Sequence, residues 1–189
     1  MSNSDKNRMI PVEVTGVSVN PPFNGYVVIL KEIDGEQWLP IFIGEVEAQT
    51  IMLLLQRMTY VRPLTYDLFN NLLEAGKSTV ERVEVTKLEE NTFYALVYLD
   101  TIDGVREVDA RPSDAIALAL KSNAPILVSR QVFEDSRKGR DLASDEPPKP
   151  LNRLDELNEK LKKAVDDEEY EEAAKLRDQI NNLARKEGN

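Results

Sequence analysis

Val108-Asp-Ala-Arg-Pro-Ser-Asp-Ala-Ile-Ala-Leu-Ala-Leu-Lys-Ser-Asn-Ala-Pro-Ile-Leu-Val128 is the stretch that decides the predicted fold. It reads as the end of a strand, a sharp turn, a helix and a second strand. Pro112 suits the first helical position, because its missing N–H needs no partner there and its φ is already helical. Asn123 can adopt the left-handed conformation after the last turn, and Pro125 prevents continuation. The apolar residues 115 to 120 predict a helix that is buried on nearly every side.

The turn before this helix brings three charged residues together. Asp109, Arg111 and Asp114 lie where a strand ends and a helix begins, which is where open α/β structures usually hold ligands. A structural alternative stands beside this one, because Asp114 can cap the helix and Arg111 can be its ion-pair partner. The sequence therefore predicts either an anion or metal site or a purely structural cap at this turn.

The composition indicates a globular protein of one domain plus an appendage. The chain has 189 residues, of which 41% are hydrophobic and 31% are charged. No apolar run approaches the ~18 residues that a membrane helix needs, and the first residues lack the apolar segment of a secretory signal. The chain has no cysteine, so disulfides and thiolate chemistry are excluded, and the cytoplasm is the expected compartment.

The absence of histidine excludes more functions than any other feature of the composition. Ser-His-Asp triads, imidazole acid–base catalysis and the usual zinc sites all require this residue. Carboxylate sites for Mg²⁺, Mn²⁺ or Ca²⁺ remain compatible with the sequence. The net charge of −10 argues against general coating of nucleic acid, so DNA or RNA would have to bind through a local basic patch or bridging divalent ions.

The pattern along the chain predicts an α+β fold with a mixed, largely antiparallel sheet and packed helices. Three antiparallel strands are expected between residues 11 and 43, with a β-bulge at Gly16. Two helices follow at about 45–58 and 64–75, and a second meander occupies residues 80–110. The helical period predicts that three leucines of the second helix face inward: Leu68, Leu72 and Leu73.

The chain divides into four segments by composition. We expect a disordered N-terminus at residues 1–8, the α+β domain at 9–135 and a flexible linker at 136–150. Residues 151–187 then follow the period of two short helices and predict a helical hairpin. Some forty residues bury little apolar surface alone, so the hairpin is expected to pair with another copy or another protein.

Three ordered motifs and one C-terminal motif resemble known families. Residues 9–135 are similar to the bifunctional nuclease domain family through Leu39-Pro-Ile-Phe-Ile-Gly44, Arg62-Pro-Leu-Thr-Tyr-Asp-Leu68 and Arg111-Pro-Ser-Asp-Ala-Ile-Ala-Leu118. The hairpin resembles the UVR motif of UvrB and UvrC through Tyr170-Glu-Glu-Ala-Ala-Lys-Leu-Arg-Asp-Gln-Ile180.

The resemblance implies an α+β fold, homo-oligomerisation and cleavage of both DNA and RNA. Members of the nuclease family commonly have a His where this chain has Tyr66. A catalytic or metal-binding His would make its loss disabling, whereas a structural His can be replaced by Tyr66. The UVR resemblance implies docking to a protein partner, and the residues expected to make it are Tyr170, Ala173, Leu176, Arg177 and Ile180.

Two functional hypotheses follow. The first is a phosphodiesterase that uses Mg²⁺ or Mn²⁺, because metal-held water and a cation on the phosphate are what the reaction needs. The second is a non-catalytic oligomeric scaffold or adaptor in DNA repair or stress response, which the missing His and the acidic charge favour. For the first we expect Asp114, Arg111 and Asp67 as catalytic residues, Asp109, Asp114 and Glu45 as metal ligands, and Arg62 and Arg111 as phosphate contacts.

Overall fold

The computed structural model describes residues 8–20, 25–58, 60–138, 150–151 and 153–187. Its internal contacts separate the chain into two units, with the boundary between residues 148 and 149. The first unit is a sheet with helices and the second is a pair of helices, which confirms the predicted α+β class with a C-terminal hairpin.

Seven described strands form one sheet in the first unit, in the order β3-β2-β1-β7-β4-β5-β6. All neighbouring strands are antiparallel except β4 and β7, which are parallel. The sheet is therefore mixed and largely antiparallel, as predicted. The strands are β1 (Met9–Asn20), β2 (Gly25–Glu32), β3 (Trp38–Ile43), β4 (Thr79–Glu89), β5 (Thr92–Thr101), β6 (Gly104–Ala110) and β7 (Ile126–Ser129).

The short strand β7 joins two meanders that are each continuous in sequence. On one side it pairs with β1, where Val12 lies opposite Ile126, and on the other with β4, where Val85 lies opposite Val128. The predicted bulge is confirmed, since the register of β1 against β2 shifts between Val14 and Gly16. The alternation of side chains along these strands turns the apolar residues toward one shared core.

Four described helices belong to this unit. Helix α3 follows the predicted pattern, because Pro112 occupies its first turn and Asn123 ends it in the left-handed conformation with φ 53°. Its middle is the centre of the core, with Ile116 and Ala119 fully buried. The helices are α1 (Glu45–Leu55), α2 (Thr65–Ala75), α3 (Pro112–Ser122) and α4 (Arg130–Lys138).

Helix α2 differs from the sequence expectation. None of its residues is buried, and Leu68 and Leu72 are 54% and 61% exposed, so the prediction that they face inward was wrong. The helical period shows which residues share a face, but it does not show whether that face is covered. Helix α2 contacts α3 and β4 and leaves these leucines on the surface.

Helix α4 continues to Lys138, beyond the expected domain end at residue 135. It does so because Val132, Phe133 and Ser136 are buried on one face, which extends the packing by another turn. Residues 139–149 of the expected linker lie outside the described residues, as do residues 1–7 of the expected disordered N-terminus.

The second unit consists of α5 (Arg153–Asp166) and α6 (Tyr170–Glu187). Its described core is small and contains Leu157, Ala164, Ala173 and Leu176. Glu168 turns the chain between the helices with φ 60°. Among the described helices of both units, none is long and apolar enough to cross a membrane.

Candidate functional site

The first turn of α3 holds a connected cluster of charged and polar side chains. Arg111 is the residue before the helix, and its carbonyl accepts the amide N–H of Ala115 at 3.0 Å. Its guanidinium then turns back along the helix onto Asp114, with Nε to Oδ2 at 2.6 Å and Nη2 to Oδ1 at 3.1 Å. This two-point geometry fixes both planar groups, as expected for an Arg–carboxylate fork.

Glu47 of α1 supplies a second carboxylate to the same guanidinium. Its Oε1 lies 2.9 Å from Nη1 of Arg111. Gly44, just before α1, leaves room for this carboxylate, because a Cβ at Gly44 would collide with Oε2 of Glu47. The Arg111 side chain nevertheless remains 66% exposed, so the cation is accessible from solvent although each of its nitrogens contacts a carboxylate.

Tyr66 of α2 completes the cluster. Its hydroxyl donates a 2.9 Å hydrogen bond to Oδ1 of Asp114. Burial, followed by this hydrogen bond, raises the pKa of Tyr66 well above its ordinary value. Burial also raises the pKa of Asp114, but the hydrogen bonds from Arg111 and Tyr66 outweigh it and leave the pKa below its ordinary value. The cluster at neutral pH is therefore a protonated phenol, an ionised carboxylate and a cation.

A second ion pair connects the same two helices further along. Asp67 contacts the Lys121 ammonium, and its Oδ2 accepts the backbone N–H of Leu64 at 2.7 Å. These two contacts, the Lys121 bond first, lower the pKa of Asp67. Because Asp114 and Lys121 are seven residues apart, this pair lies two turns, roughly 10 Å, along α3 from the first cluster.

Two adjoining pockets open beside these ion pairs. The first, of about 670 Å³, lies between α2, α3 and the strands β5 and β6, and its lining includes the charged residues Arg111 and Asp114 and the apolar residues Phe69 and Val108. The second, of about 770 Å³, lies between the end of α1, the start of α2 and the end of α3, and its lining includes Asp67 and Lys121. Thr65 and Tyr66 contribute to both, so the two pockets share a wall.

The structure brings together only part of the expected catalytic set. Asp114 and Arg111 are in direct contact, whereas Asp67 faces Lys121 at the other end of the α2–α3 contact. Arg62 is exposed and lines neither pocket. The cluster around Arg111 is therefore built from Glu47 and Tyr66 in addition to the predicted Asp114.

The expected metal ligands do not converge. In the part of the chain that the structure describes, no three Asp, Glu, His or Cys side chains are grouped so that they could hold a metal ion. Asp109 lines the first pocket together with Asp114. It pairs with Leu96, however, while its neighbour Val108 pairs with the core residue Val97, so alternation directs the Asp109 side chain to the opposite face of the sheet. Glu45 accepts a 3.4 Å hydrogen bond from Gln49 on its own helix. The predicted set of Asp109, Asp114 and Glu45 does not fit a shared Mg²⁺ or Mn²⁺ ion.

Three residues of the site were not proposed for it from the sequence. Glu47 and Lys121 were not named as site residues, and Tyr66 was considered only as the replacement of a His. The sequence could have indicated Lys121 as a neighbour of the site, because residues 114 and 121 share a face of α3 at a spacing of two turns.

The residues expected to dock a partner are divided between the inside and the outside of the hairpin. Ala173 and Leu176 are buried in its core, and Ile180 packs against them. Tyr170 is 68% exposed, and Arg177 is exposed beside Asp178 at 3.8 Å. The first three therefore hold the hairpin together, and Tyr170 and Arg177 are available on its surface.

Comparison with family models agrees with this division of the chain. A model described as the bifunctional nuclease domain matches residues 28–140, and one described as the UvrB/UvrC motif matches residues 152–186. Both resemblances drawn from the sequence motifs are thereby confirmed.

Similar proteins occur in bacteria and plants. An uncharacterized protein of Mycobacterium tuberculosis is 38% identical over 155 residues, which cover 82% of this chain and 92% of that protein. Bifunctional nuclease 1 of Arabidopsis thaliana is 28% identical over 177 residues, and Bifunctional nuclease 1 of Oryza sativa subsp. japonica is 26% identical over 181 residues. These matches cover 81% and 82% of this chain but 54% of each plant protein, so the similarity spans about half the length of the plant nucleases.

Proposed function

Because this chain belongs to the bifunctional nuclease domain family, we propose that it hydrolyses phosphodiester bonds of nucleic acid at the pocket between α2, α3 and β6. The names of the plant relatives support this class of reaction. The observation that carries the proposal is the 66% exposure of the Arg111 side chain, which lines the pocket together with Asp114 and Tyr66.

The cluster has the groups that such a hydrolysis requires. Water attacks phosphorus, the bond to the leaving oxygen breaks, one proton leaves the water and one is taken up by the leaving oxygen. The solvent-accessible guanidinium of Arg111 can bind the non-bridging oxygens, on which negative charge builds up. Asp114 is ionised and can accept the proton from water, and Tyr66 keeps its proton and can donate it to the leaving oxygen.

Cleavage assays of purified Arg111 variants test the proposal. With single-stranded DNA, double-stranded DNA and RNA as substrates, Arg111→Ala and Asp114→Asn are expected to lower kcat/KM by at least about tenfold, the loss of one charge-assisted contact. Arg111→Lys should retain less than half of the activity, because a Lys ammonium cannot contact two carboxylates and a phosphate in one plane. Arg106→Ala is the matched control, since Arg106 is exposed on β6 and lines neither pocket.

The same assays contain the result that would contradict the proposal. Equal cleavage by the wild type, Arg111→Ala and Asp114→Asn, all folded, would assign the activity to a contaminating nuclease. Parallel reactions with Mg²⁺, Mn²⁺ and EDTA test metal dependence. We assign no step to a metal ion, because the carboxylates of the described residues do not form a ligand set.

A specific observation favours a second function, that of a non-catalytic adaptor. The cluster is held together by hydrogen bonds and an ion pair among its own side chains, those of Arg111, Asp114, Glu47 and Tyr66. A purely structural helix cap would require the same contacts. In this case the UVR-like hairpin would dock a protein partner through Tyr170 and other exposed residues. Folded wild-type protein that neither binds nor cleaves nucleic acid would select this function over the first.

We propose self-association as a common element of both functions. The exposed leucines of α2, Leu68 and Leu72, lie on the surface of the first unit together with the edge-strand residue Val105, which is 54% exposed. Apolar residues of this kind favour burial against another chain. Light scattering coupled to gel filtration should give a mass above the monomer for the wild type and a lower mass for Leu72→Glu.

A further inference from the structure

We infer that the second pocket, between the end of α1 and the start of α2, binds the strand of a single-stranded nucleic acid as it leaves the cleavage pocket, with Arg57 as its phosphate contact. The inference rests on the proposed nuclease function. The two pockets share the wall formed by Thr65 and Tyr66, so a chain that lies beside Arg111 and passes Tyr66 enters the second pocket.

Arg57 occupies an unusual backbone position. It follows the last turn of α1, where its N–H bonds to the carbonyl of Leu54 at 3.1 Å and the N–H of Met58 bonds to that of Leu53 at 3.4 Å. Its φ is 50°, a left-handed conformation in which Gly is the usual residue because a Cβ is disfavoured there. Lys77 has the same conformation after α2, with φ 55°, so the backbone alone does not distinguish Arg57.

The position of the Arg57 charge does distinguish it. Arg57 lines the second pocket, and within the described residues it forms no ion pair. Lys121 also lines the second pocket, but it is paired with Asp67 of the same lining, and Arg111 of the first pocket is paired with Glu47 and Asp114. The chain as a whole is acidic, with a net charge of −10. Arg57 is thus a cation on the wall of this pocket, and its guanidinium donors are available to an anion such as a phosphate.

The uncharged surface of the two pockets favours unpaired bases. Tyr60 and Met58 in the second pocket are each 47% exposed, and Phe69 in the first is 52% exposed. Aromatic rings on a groove wall stack with bases of a single strand, and this stacking is tolerant of sequence. In a duplex the base faces are already stacked on one another, so these side chains would have no equivalent contact.

Two matched glycine variants test the inference. Arg57→Gly and Lys77→Gly each remove one cation from a left-handed position that Gly adopts readily, so both should melt at or above the temperature of the wild type. Lys77 lines neither pocket. Binding is measured by fluorescence anisotropy with a short labelled oligothymidylate that carries nuclease-resistant phosphorothioate linkages, across a series of salt concentrations.

We expect Arg57→Gly to bind the oligothymidylate about tenfold more weakly than the wild type. The slope of log K against log salt should fall by about 0.7, the value for one phosphate contact to a single strand. Lys77→Gly should match the wild type in both. In cleavage of a single strand, Arg57→Gly should raise KM and leave kcat unchanged.

The remaining outcomes of these measurements distinguish failure of the subsite from failure of the nuclease function. Binding of the strand by Arg57→Gly as tightly as by the wild type, with cleavage intact, would overturn the subsite and leave the nuclease function standing. Tighter binding to a duplex of the same length, equally sensitive to Arg57→Gly, would overturn the single-strand assignment. A wild type that binds in an Arg57-dependent manner without cleaving would support the subsite and contradict the nuclease function, and absence of both binding and cleavage would overturn both.

Discussion

The hydroxyl of Tyr66 donates a 2.9 Å hydrogen bond to Asp114 across 48 positions of sequence. The next residue, Asp67, contacts Lys121 two turns further along α3. None of the residues of α2 is buried. This helix is therefore connected to the buried helix α3 by polar contacts at two positions along α3. These contacts position the wall that the two pockets share.

The phenol of Tyr66 is expected to keep its proton in alkaline solution. Its pKa is raised above the ordinary value of 10.0 by burial and by the bond to Asp114. Its contribution to stability is thus fully present below pH 10 and is lost as the pH rises through the folded-state pKa. A difference titration of tyrosinate absorbance, wild type minus Tyr66→Phe, should show no ionisation near pH 10.

The unfolded proteins provide the control for this titration. In concentrated urea the wild type and Tyr66→Phe should differ by one tyrosine that ionises near pH 10. The prediction fails if the folded pair shows the same difference at the same pH.

Acid should weaken the α2–α3 contact. The pKa values of Asp114 and Asp67 lie below the ordinary 3.8, so their contribution is present above pH 3.8 and is lost as the pH falls through the folded-state values. Because their side chains are 37% and 29% exposed, each should contribute at most about 1 kcal/mol. Urea unfolding at a series of pH values should give a shallower acid dependence for Asp114→Asn and Asp67→Asn, and unchanged slopes for both variants would contradict the assignment.

The buried face of α3 should be the most sensitive part of the fold. Ile116 is 0% exposed, so Ile116→Ala is expected to lower the free energy of unfolding by about 2–5 kcal/mol. The exposed Ile102 is the control, and Ile102→Ala should change this free energy by less than about 0.5 kcal/mol. Urea unfolding at neutral pH measures both, and a loss below 1 kcal/mol for Ile116→Ala would be inconsistent with this packing.

Removal of the hairpin should leave the first unit intact. Each unit has its own buried cluster, so a chain ending at residue 148 is expected to melt within about 2 °C of the corresponding transition of the full chain and to cleave nucleic acid at the same rate. Binding of a protein partner in a pull-down should be lost. A fall in melting temperature of several degrees would mean that the units depend on each other.

Helix α3 illustrates what the sequence could predict. Its start at Pro112, its end at Asn123 and its burial all follow from interactions within about ten residues. Strand spacing likewise predicts the two meanders, because each of their turns is formed by neighbouring residues. Local chemistry was sufficient for these elements, and their boundaries agree closely with the sequence expectation.

Which residues form the site depends on contacts between residues that are far apart in the sequence. Glu45 and Glu47 both lie in the first turn of α1, but they are about 200° apart around the helix. Only the position of Arg111 decides which of the two forms an ion pair with it. Asp109 lines the first pocket with Asp114, as expected from their proximity in sequence, but its register in β6 directs its side chain to the other face of the sheet. Tyr66 reaches Asp114 only because α2 packs on α3, a contact that no periodicity specifies.

Strand β7 also determines when the fold can be completed. Met9 pairs with Ser129, 120 positions later, and the four residues of β7 supply the only described pairing between the two meanders. During synthesis the two meanders can form as each emerges from the ribosome, but the edges of β1 and β4 stay open until residue 129 has followed. A chain released before that point would carry two unpaired strand edges, which are templates for aggregation.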